Sequence, residues 1–475
     1  MDSKKVLDFF REITLIPRES GHEEPMTRFL EKFAADRGLL SKTDKTGNVL
    51  IVKDASKGKE NVPPLVLQAH QDMVCEKVGG FDFDFKTQPI PYEIEDGWMV
   101  AKNTTLGADD GIGIAACLAL LDSDLPMGKL ECLFTISEET GMDGAFALEK
   151  GFFDGKTLIN LDSEDEGQLF VGCAGGVDTI ATFEFSHEPL ASGYKTMKLR
   201  ISGGVGGHSG DDINKERANV LQQLCRFLFT QFQYDWQLLS LSGGNKPNAI
   251  CREAEAVIAV PDDEFQDMVA DFQAFGKILS SEFHNTEPDL NFEARSFRTT
   301  AEPIAEEDTV RIISALVACP HGVFAMSTDI PGLVETSSNL AAVKMENDSF
   351  KVITSQRSSV TTELHAAAEK VEATLILGGA DVEHVSEYPG WKPNMDSSIL
   401  KESVASYRRL FGTDPEVKAI HAGLECGLFL EKFPDLDMIS FGPTLRGVHA
   451  PGEKLELASL DKFVALLEDI VVNFK

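Results

Sequence analysis

Short apolar segments typical of buried strands alternate with helical segments along residues 1–193. Between two of these strand-like segments, GIGIAACLALL (111–121) has the uniformly apolar composition of a buried helix. Strands that alternate with helices usually form a parallel sheet that is covered on both faces, so this region predicts an α/β domain with a mostly parallel sheet. The strand-like segments are NVLIVKD (48–54), LVLQAH (65–70), KLECLFTISEE (129–139) and TLINLD (157–162).

The order of predicted elements changes near residue 194 and changes back near residue 388. Residues 194–387 predict two successive rounds of strands and helices, which indicate a doubled α+β unit. Residues 388–475 return to the pattern of the first part of the chain. The sequence therefore predicts an α/β domain, made of residues 1–193 and 388–475, that is split by an inserted α+β domain.

The charge of the chain argues against two classes of partner. The sequence has 44 Lys and Arg residues against 77 Asp and Glu residues, which gives a net charge of −33. Such a chain repels phosphate backbones and anionic lipid surfaces, so we expect neither a nucleic-acid partner nor a membrane partner. The N-terminal residues do not form the apolar core of a signal peptide, and the eight cysteines include no CxxC pair. We therefore expect a cytoplasmic protein with reduced thiols.

Histidine and acidic side chains follow each of three predicted strands. The carboxyl ends of parallel strands meet at one edge of an α/β sheet, and this edge is where ligand sites form in such folds. We therefore expect these side chains to lie close together. They are His70 and Asp72 after LVLQA, Glu138 and Glu139 after LFTIS, and Asp162 after LINL.

Two further aspartates, Asp109 and Asp110, precede the helix at 111–121. They either cap that helix or join the cluster at the sheet edge. The helix start also matches the GxGxxA pattern of dinucleotide-binding folds, but the two carboxylates stand where a pyrophosphate would approach. Carboxylates crowded at one edge repel one another, and a cation relieves the repulsion. Imidazoles with carboxylates and without clustered thiolates indicate a catalytic zinc, manganese or cobalt site.

Six motifs lie along the chain in the order HQD (70–72), TLGADDGIG (105–113), SEETGMDGA (137–145), NLDSED (160–165), GGHSGDDI (206–213) and GVHAPGE (447–453). Together they resemble the motifs of the M20 family of dimetal aminopeptidases and carboxypeptidases, and most closely those of its dipeptidase branch. This resemblance covers essentially the whole chain. It implies hydrolysis of dipeptides, including aminoacyl-histidine or β-alanyl-histidine. Other M20 chemistry (N-acyl amino acid deacylation or tripeptide aminopeptidase activity) and a catalytically inactive scaffold are the alternatives.

The resemblance also implies two bound divalent metal ions, with zinc as the first choice and cobalt or manganese as alternatives. His70 and Asp162 would hold one ion, Glu139 and His449 would hold the other, and Asp109 would bridge them. The charges of such a site balance, because Asp109, Glu139, Asp162 and a bridging hydroxide together neutralise two divalent ions.

Two acidic residues beside the implied ligands would serve the reaction itself. Asp72 would orient the imidazole of His70 from two residues away. Glu138 would be the general base, which takes a proton from the attacking water and returns it to the leaving amine. Because adjacent side chains of an extended strand point in opposite directions, a turn is needed for Glu138 and Glu139 to reach the same site.

The inserted domain would act as a lid and as the interface of a homodimer. By resemblance, His208 would reach the site of a neighbouring subunit and stabilise the tetrahedral oxyanion. Asn248 and Arg357 would bind the free carboxylate of the substrate, although either could instead be an ordinary surface residue. His421 and Glu425, four residues apart on a predicted helix, would either support the site or form a plain helix-face pair.

Overall fold

The computed structural model describes residues 1–475, and the chain divides into two compact units. The sequence predicts the first boundary at residue 194, whereas the second unit begins at Cys173 because strand Gly175–Glu184 pairs with strands of that unit. The first unit comprises Met1–Gly172, Pro393–Ala419 and Leu424–Lys475, and the second comprises Cys173–Lys392 and Ile420–Gly423.

The first unit combines an eight-stranded sheet, a small four-stranded antiparallel sheet and eight helices. Its N-terminal elements are α1 (Ser3–Ile13), α2 (Glu24–Asp36), β1 (Leu40–Thr43), β2 (Val49–Lys53), β3 (Leu65–His70), β4 (Tyr92–Glu95), β5 (Trp98–Ala101), α3 (Ala108–Leu121), β6 (Leu130–Thr135), α4 (Glu138–Gly141), α5 (Asp143–Ala147), β7 (Thr157–Asn160) and β8 (Gln168–Cys173). Its C-terminal elements are α10 (Ser398–Phe411), β18 (Glu416–Ile420), α11 (Glu425–Lys432), β19 (Asp437–Ser440), β20 (Leu445–Arg446), β21 (Lys454–Glu456) and α12 (Leu457–Asn473).

The centre of the eight-stranded sheet is parallel, and β2 and β8 pair antiparallel with the two sides of this centre. The strand order is β1-β2-β6-β3-β7-β19-β8-β18, in which β6, β3, β7 and β19 run in the same direction. Strands β3 and β6 are buried along their whole length, and α3 packs against β3 and α1. Every residue of α3 except Asp109 is buried. The predicted α/β class with a mostly parallel sheet is thus confirmed, with four adjacent parallel strands at the centre of the sheet.

The second unit is built on a nine-stranded antiparallel sheet. The strand order is β13-β10-β12-β11-β15-β16-β9-β17, with β14 added beside β15. Fully buried phenylalanines, among them Phe183, Phe227, Phe272 and Phe350, fill the core of this unit. Its elements are β9 (Gly175–Glu184), β10 (Tyr194–Ser202), α6 (Val220–Thr230), a short 3₁₀ helix (Gln231–Gln233), β11 (Gln237–Gly243), β12 (Ala254–Pro261), α7 (Phe265–Glu282), β13 (Asn291–Ser296), α8 (Glu306–Ala318), β14 (Gly322–Met326), β15 (Val334–Glu346), β16 (Ser349–Ser358), α9 (Thr361–Leu377) and β17 (Asp381–Tyr388).

The two rounds of elements predicted for the inserted region correspond to two parts of this one sheet. The first part contains β10 to β13 with α6 and α7, and the second contains β9 and β14 to β17 with α8 and α9. The two parts meet at β11 and β15, where Gly243 pairs with Val343. None of the helices in either unit combines the length and the apolar composition that a membrane span requires.

His421 does not lie on a helix with Glu425, so the prediction of a helical pair is wrong. Helix α11 begins at Glu425, and His421 precedes it in a short segment that belongs to the second unit. There its imidazole is buried, with Nε2 at 2.7 Å from the hydroxyl of Ser337. Burial, reinforced by the positive charge of Arg357, lowers the pKa of His421 to about 3.

Acid should therefore destabilise the protein through His421. The unfolded chain takes up a proton near the ordinary histidine pKa of ~6.5, and the folded chain does so only near 3. Stability is thus full above pH ~6.5 and falls as the pH decreases, by about 2 kcal/mol between pH 7 and pH 5 from this residue. Urea unfolding of His421→Gln in the presence of a chelator should show a pH dependence that is smaller by this amount. An unchanged pH dependence would contradict a buried, neutral imidazole.

Candidate metal centre

His70, the last residue of β3, lies at the centre of the predicted cluster. Its ring is buried, and Nε2 lies 2.9 Å from Asp109 Oδ1 and 3.3 Å from Asp162 Oδ1. Its other nitrogen, Nδ1, lies 3.3 Å from Asp72 Oδ1. The carboxyl ends of β3 and β7 are adjacent in the sheet, which is why residues 70 and 162 meet.

His449 brings the C-terminal part of the chain to the same cluster. Its Nε2 lies 3.1 Å from Asp109 Oδ2 and 2.9 Å from Glu139 Oε2. The two oxygens of Asp109 therefore face two different imidazoles, one from each end of the chain. This is the arrangement that a bridging carboxylate requires.

A turn after β6 directs Glu138 and Glu139, as the sequence predicts. Ser137 adopts a left-handed conformation (φ 53°), and the short helix α4 begins at Glu138. Glu23 holds this turn, because its carboxylate accepts hydrogen bonds from the backbone N–H and the hydroxyl of Ser137, both at 3.0 Å. The extended strand therefore ends immediately before the two glutamates.

Asp72 connects His70 to this turn. Its carboxylate accepts the backbone N–H groups of Glu138 at 3.1 Å and Glu139 at 3.2 Å, and the hydroxyl of Ser20 at 2.7 Å. Burial alone would raise the pKa of Asp72, but its contacts with His70, Ser20 and Glu138 lower it to about 2. Asp72 is thus an ionised group that fixes both an imidazole and the chain that carries the two glutamates.

Asp109 and Asp110 have different roles in the structure. Asp110 caps α3, because one of its oxygens accepts the N–H of Gly113 at 3.1 Å and the other accepts the N–H of His70 at 3.3 Å. The pair is expected either to cap the helix or to join the cluster at the sheet edge, and each alternative applies to one of the two residues. Asp109 reaches the cluster and Asp110 holds the helix.

Two residues that the sequence analysis did not single out hold the loop before Asp109. Glu453 accepts the N–H groups of Leu106, Gly107 and Ala108 at 2.8, 3.1 and 2.8 Å. The buried guanidinium of Arg18 donates to the carbonyl oxygen of Gly107. Gly107 has φ +69°, and a Cβ there would lie 2.5 Å from Arg18, so only glycine fits between the two charged groups.

The cluster is arranged to attract positive charge. Burial raises the pKa of Asp162 and of Glu138 well above the ordinary value, and neighbouring carboxylates add to the effect. Contacts with Asp109 and Glu139 raise the pKa of His449 to about 11. Each of these shifts favours proton uptake, so the site as a whole favours added positive charge.

The donor atoms fit a divalent cation. Ligand atoms of His70, Asp109 and Glu139 lie within 4.8 Å of one another, and so do those of His70, Asp110 and Asp162. Imidazole nitrogens and carboxylate oxygens are the ligands of catalytic zinc and related ions. The residues present therefore fit a divalent cation. These two groups differ from the predicted ligand sets, because one of them includes Asp110 and neither includes His449, whose Nε2 instead contacts Asp109 and Glu139.

The three predicted substrate-binding residues lie in the second unit. Arg357 on β16 is buried, its Nη1 donates to the hydroxyl of Tyr388 at 3.0 Å, and its Nε is buried without a hydrogen-bond partner. His208 is half-buried and Asn248 is exposed. The backbone carbonyl of Asn248 accepts the N–H of Ser209, the residue after His208, at 2.9 Å. The structure thus groups His208 with Asn248 and places Arg357 in a buried polar setting.

Comparison with known proteins gives consistent results. Residues 66–473 match the model of peptidase family M20/M25/M40. The chain is 37% identical over 466 residues to the cytosol non-specific dipeptidase of Escherichia coli (strain K12), covering 98% of this chain and 96% of that protein.

Solved structures show the same similarity. The aminoacylhistidine dipeptidase of Vibrio alginolyticus has a TM-score of 0.91 and 39% identity, and covers 99% of this chain and 96% of its own. The aminopeptidase PepT of Bacillus cereus has a TM-score of 0.58 and 16% identity, with coverage of 99% and 98%, and so shares the fold alone.

Proposed function

Because this chain belongs to peptidase family M20/M25/M40 and is therefore a hydrolase of peptide bonds, we propose that it is a dipeptidase with two divalent metal ions. The observation that carries the proposal is the meeting of His70, Asp109, Glu139, Asp162 and His449 at one sheet edge. Support for dipeptides as substrates comes from the two relatives named above as dipeptidases, which match nearly the whole chain.

We propose that His70 and Asp162 hold one metal ion and that Glu139 and His449 hold the other, with Asp109 between them. Zinc is the first choice, and manganese or cobalt also suits these ligands. When bound, the ions supply Lewis acidity toward the scissile carbonyl and lower the pKa of water. Asp72 keeps the His70 ring in place, because it contacts Nδ1 and leaves Nε2 directed at the carboxylates.

Glu138 is the general base of this proposal. It takes a proton from the attacking water and delivers it to the nitrogen of the departing amino acid as the peptide bond breaks. Burial raises the pKa of its carboxyl, and a carboxylate with a raised pKa accepts a proton more readily. Its backbone N–H donates to Asp72, so the same carboxylate positions both Glu138 and the imidazole of His70.

The second unit would supply substrate recognition and the dimer interface. We propose that His208, from a neighbouring subunit, stabilises the oxyanion, and that Asn248 and Arg357 bind the substrate carboxylate. Exposed apolar side chains support an interface, because Val323 and Met326 lie on the added strand β14. We place the protein in the cytoplasm, as the name of the E. coli relative indicates for that protein.

A panel of substrates tests the proposed activity. The metal-loaded protein should hydrolyse dipeptides, including aminoacyl-histidine and β-alanyl-histidine, in preference to tripeptides and N-acetyl amino acids. A preference for N-acetyl amino acids would indicate a deacylase, and a preference for tripeptides would indicate an aminopeptidase. Absence of both turnover and bound metal would indicate an inactive scaffold, an alternative that the intact ligand set does not favour.

Arg357→Lys tests recognition of the substrate carboxylate. Lysine keeps the charge but loses the planar pair of N–H groups that binds a carboxylate with two hydrogen bonds, so KM should rise about 10- to 100-fold while kcat changes less. A dipeptide amide, which lacks the carboxylate, is the matched control and should be hydrolysed equally poorly by both proteins. An equal loss on the amide and on the free dipeptide would contradict this role.

A further inference from the structure

Glu425, the first residue of α11, is a fully buried carboxylate that the proposed reaction does not use. One of its oxygens, Oε2, accepts hydrogen bonds from Gln68 Nε2 at 2.6 Å and from Thr135 Oγ1 at 2.9 Å. The other, Oε1, is buried without a hydrogen-bond partner. A buried carboxylate with an unpartnered oxygen is unfavourable unless something nearby compensates for its charge.

A row of buried side chains, formed by Ser163, Ser440, Asn160 and Gln68, compensates part of that charge. Each member donates a hydrogen bond to the next one, and the last member donates to Glu425. Ser440 donates to Asn160 Oδ1, Asn160 Nδ2 donates to Gln68 Oε1 at 2.6 Å, and Gln68 Nε2 donates to Glu425. Because the hydroxyl proton of Ser440 is donated to Asn160, the hydroxyl of Ser163 must donate to that of Ser440, and the two oxygens lie 2.6 Å apart. Hydrogen bonds aligned in one direction polarise one another and stabilise negative charge at the accepting end.

The orientations of the Gln68 and Asn160 side-chain amides follow from the carboxylate of Glu425, which is the last acceptor of the row. A carboxylate accepts hydrogen bonds and cannot donate them, so Gln68 must present its NH₂ group to Glu425 and its oxygen to Asn160. Asn160 must then present its own oxygen to Ser440. The whole row is thus ordered by the charge at Glu425.

The row lies beneath the strand ends that carry the metal-ligand candidates. Gln68 precedes His70 by two residues on β3 and shares its side of the strand. Asn160 ends β7 two residues before Asp162, and Thr135 ends β6 before the turn to Glu138 and Glu139. The two sites also influence each other, because the charge of Glu425 contributes to the raised pKa of Glu138.

We propose that Glu425 is a positioning residue that, in its ionised form, places a negative charge beneath the metal centre and so strengthens cation binding there. The proposal rests on the proposed function, since it requires that cations bind at His70, Asp109 and Asp162. Glu425 itself touches neither cation nor substrate in this account. It acts through its charge and through the alignment of Gln68, Thr135 and Asn160.

Glu425→Gln tests the charge while keeping an acceptor oxygen for Gln68 and Thr135. Metal-free protein is titrated with Zn²⁺ or Mn²⁺ alone in a calorimeter, and the variant should bind about 10- to 100-fold more weakly than the unmodified chain. The matched control is Glu131→Gln. Glu131 is buried on the same sheet near the opposite end of β6, where it accepts the N–H groups of Asp154 and Gly155. This control should lower the urea midpoint and leave cation affinity within about threefold.

Unchanged affinity in Glu425→Gln, or equal weakening in both variants, would overturn the proposal, since the second result indicates general loosening of the sheet. If Glu425→Gln does not fold, Ser440→Ala tests the proposal instead, because it removes a hydrogen bond of the row far from the carboxylate. Weaker cation binding in Ser440→Ala would support the proposal, and unchanged binding would overturn it. An unmodified chain that binds no cation would overturn the proposed function itself, and this inference with it.

Discussion

Replacement of Asp109 by asparagine is expected to reduce dipeptide hydrolysis to background and to reduce bound metal from two ions per chain to fewer than one. The two oxygens of Asp109 face the imidazoles of His70 and His449, so one side chain serves both halves of the centre. An amide keeps the shape but loses the charge and one of the two ligand oxygens. No other side chain in the cluster contacts both imidazoles in this way.

Elemental analysis and turnover of the same purified sample check this result. Asp165→Asn is a suitable control, because Asp165 lies three residues after Asp162 and pairs with Arg446 instead of an imidazole. The control should retain both ions and normal turnover. Two tightly bound ions in Asp109→Asn would contradict the bridging role.

Glu138→Gln is expected to lower kcat by about 10²- to 10⁴-fold, with two metal ions still bound. Glutamine occupies the same space as glutamate but cannot accept the proton of the attacking water at neutral pH. Substrate binding does not require that proton transfer, so KM should change only a few-fold. Rapid-mixing kinetics and elemental analysis together separate loss of the base from loss of the metal.

Glu149→Gln serves as the control for Glu138→Gln. Glu149 is an exposed glutamate a short distance further along the chain, so its replacement should leave both kcat and metal content unchanged. Loss of metal in Glu138→Gln would instead assign this residue to the ligand set. Normal turnover would show that another group is the base.

The sequence predicts where this cluster of histidine and acidic side chains lies, because its position depends on strand order and strand ends. His70, Glu138 and Asp162 each follow an apolar segment, and the segments proved to be the adjacent strands β3, β6 and β7. The need for a turn at Glu138 also followed from the alternation of side chains along a strand. These features are local, and each can be seen in a short stretch of residues.

The supports of the centre could not be predicted in the same way, because they depend on contacts between distant parts of the chain. Arg18 and Glu453 hold Gly107 from two sides, yet they are separated from it by long stretches of sequence. A weak signal did exist for the buried row: Gln68 and Asn160 are polar residues inside segments that otherwise have the composition of buried strands. A polar side chain in such a place needs a buried partner.

The boundary of the second unit and the place of His421 illustrate a second limit. Strand β9 resembles other strands in composition, and only its pairing with β16 and β17 assigns it to the second unit. The spacing of His421 and Glu425 fits a helix, but the helix begins at Glu425 and the imidazole instead pairs with Ser337. Spacing shows which residues could share a helix face, whereas tertiary pairing decides whether the helix extends that far.

Anomalous X-ray diffraction from crystals of the zinc-loaded protein, recorded above and below the zinc absorption edge, tests the account most directly. We expect two anomalous peaks, one in contact with His70 and Asp162 and the other with Glu139 and His449, and both in contact with Asp109. A single peak, or peaks whose nearest side chains do not include Asp109, would contradict the proposed dimetal centre.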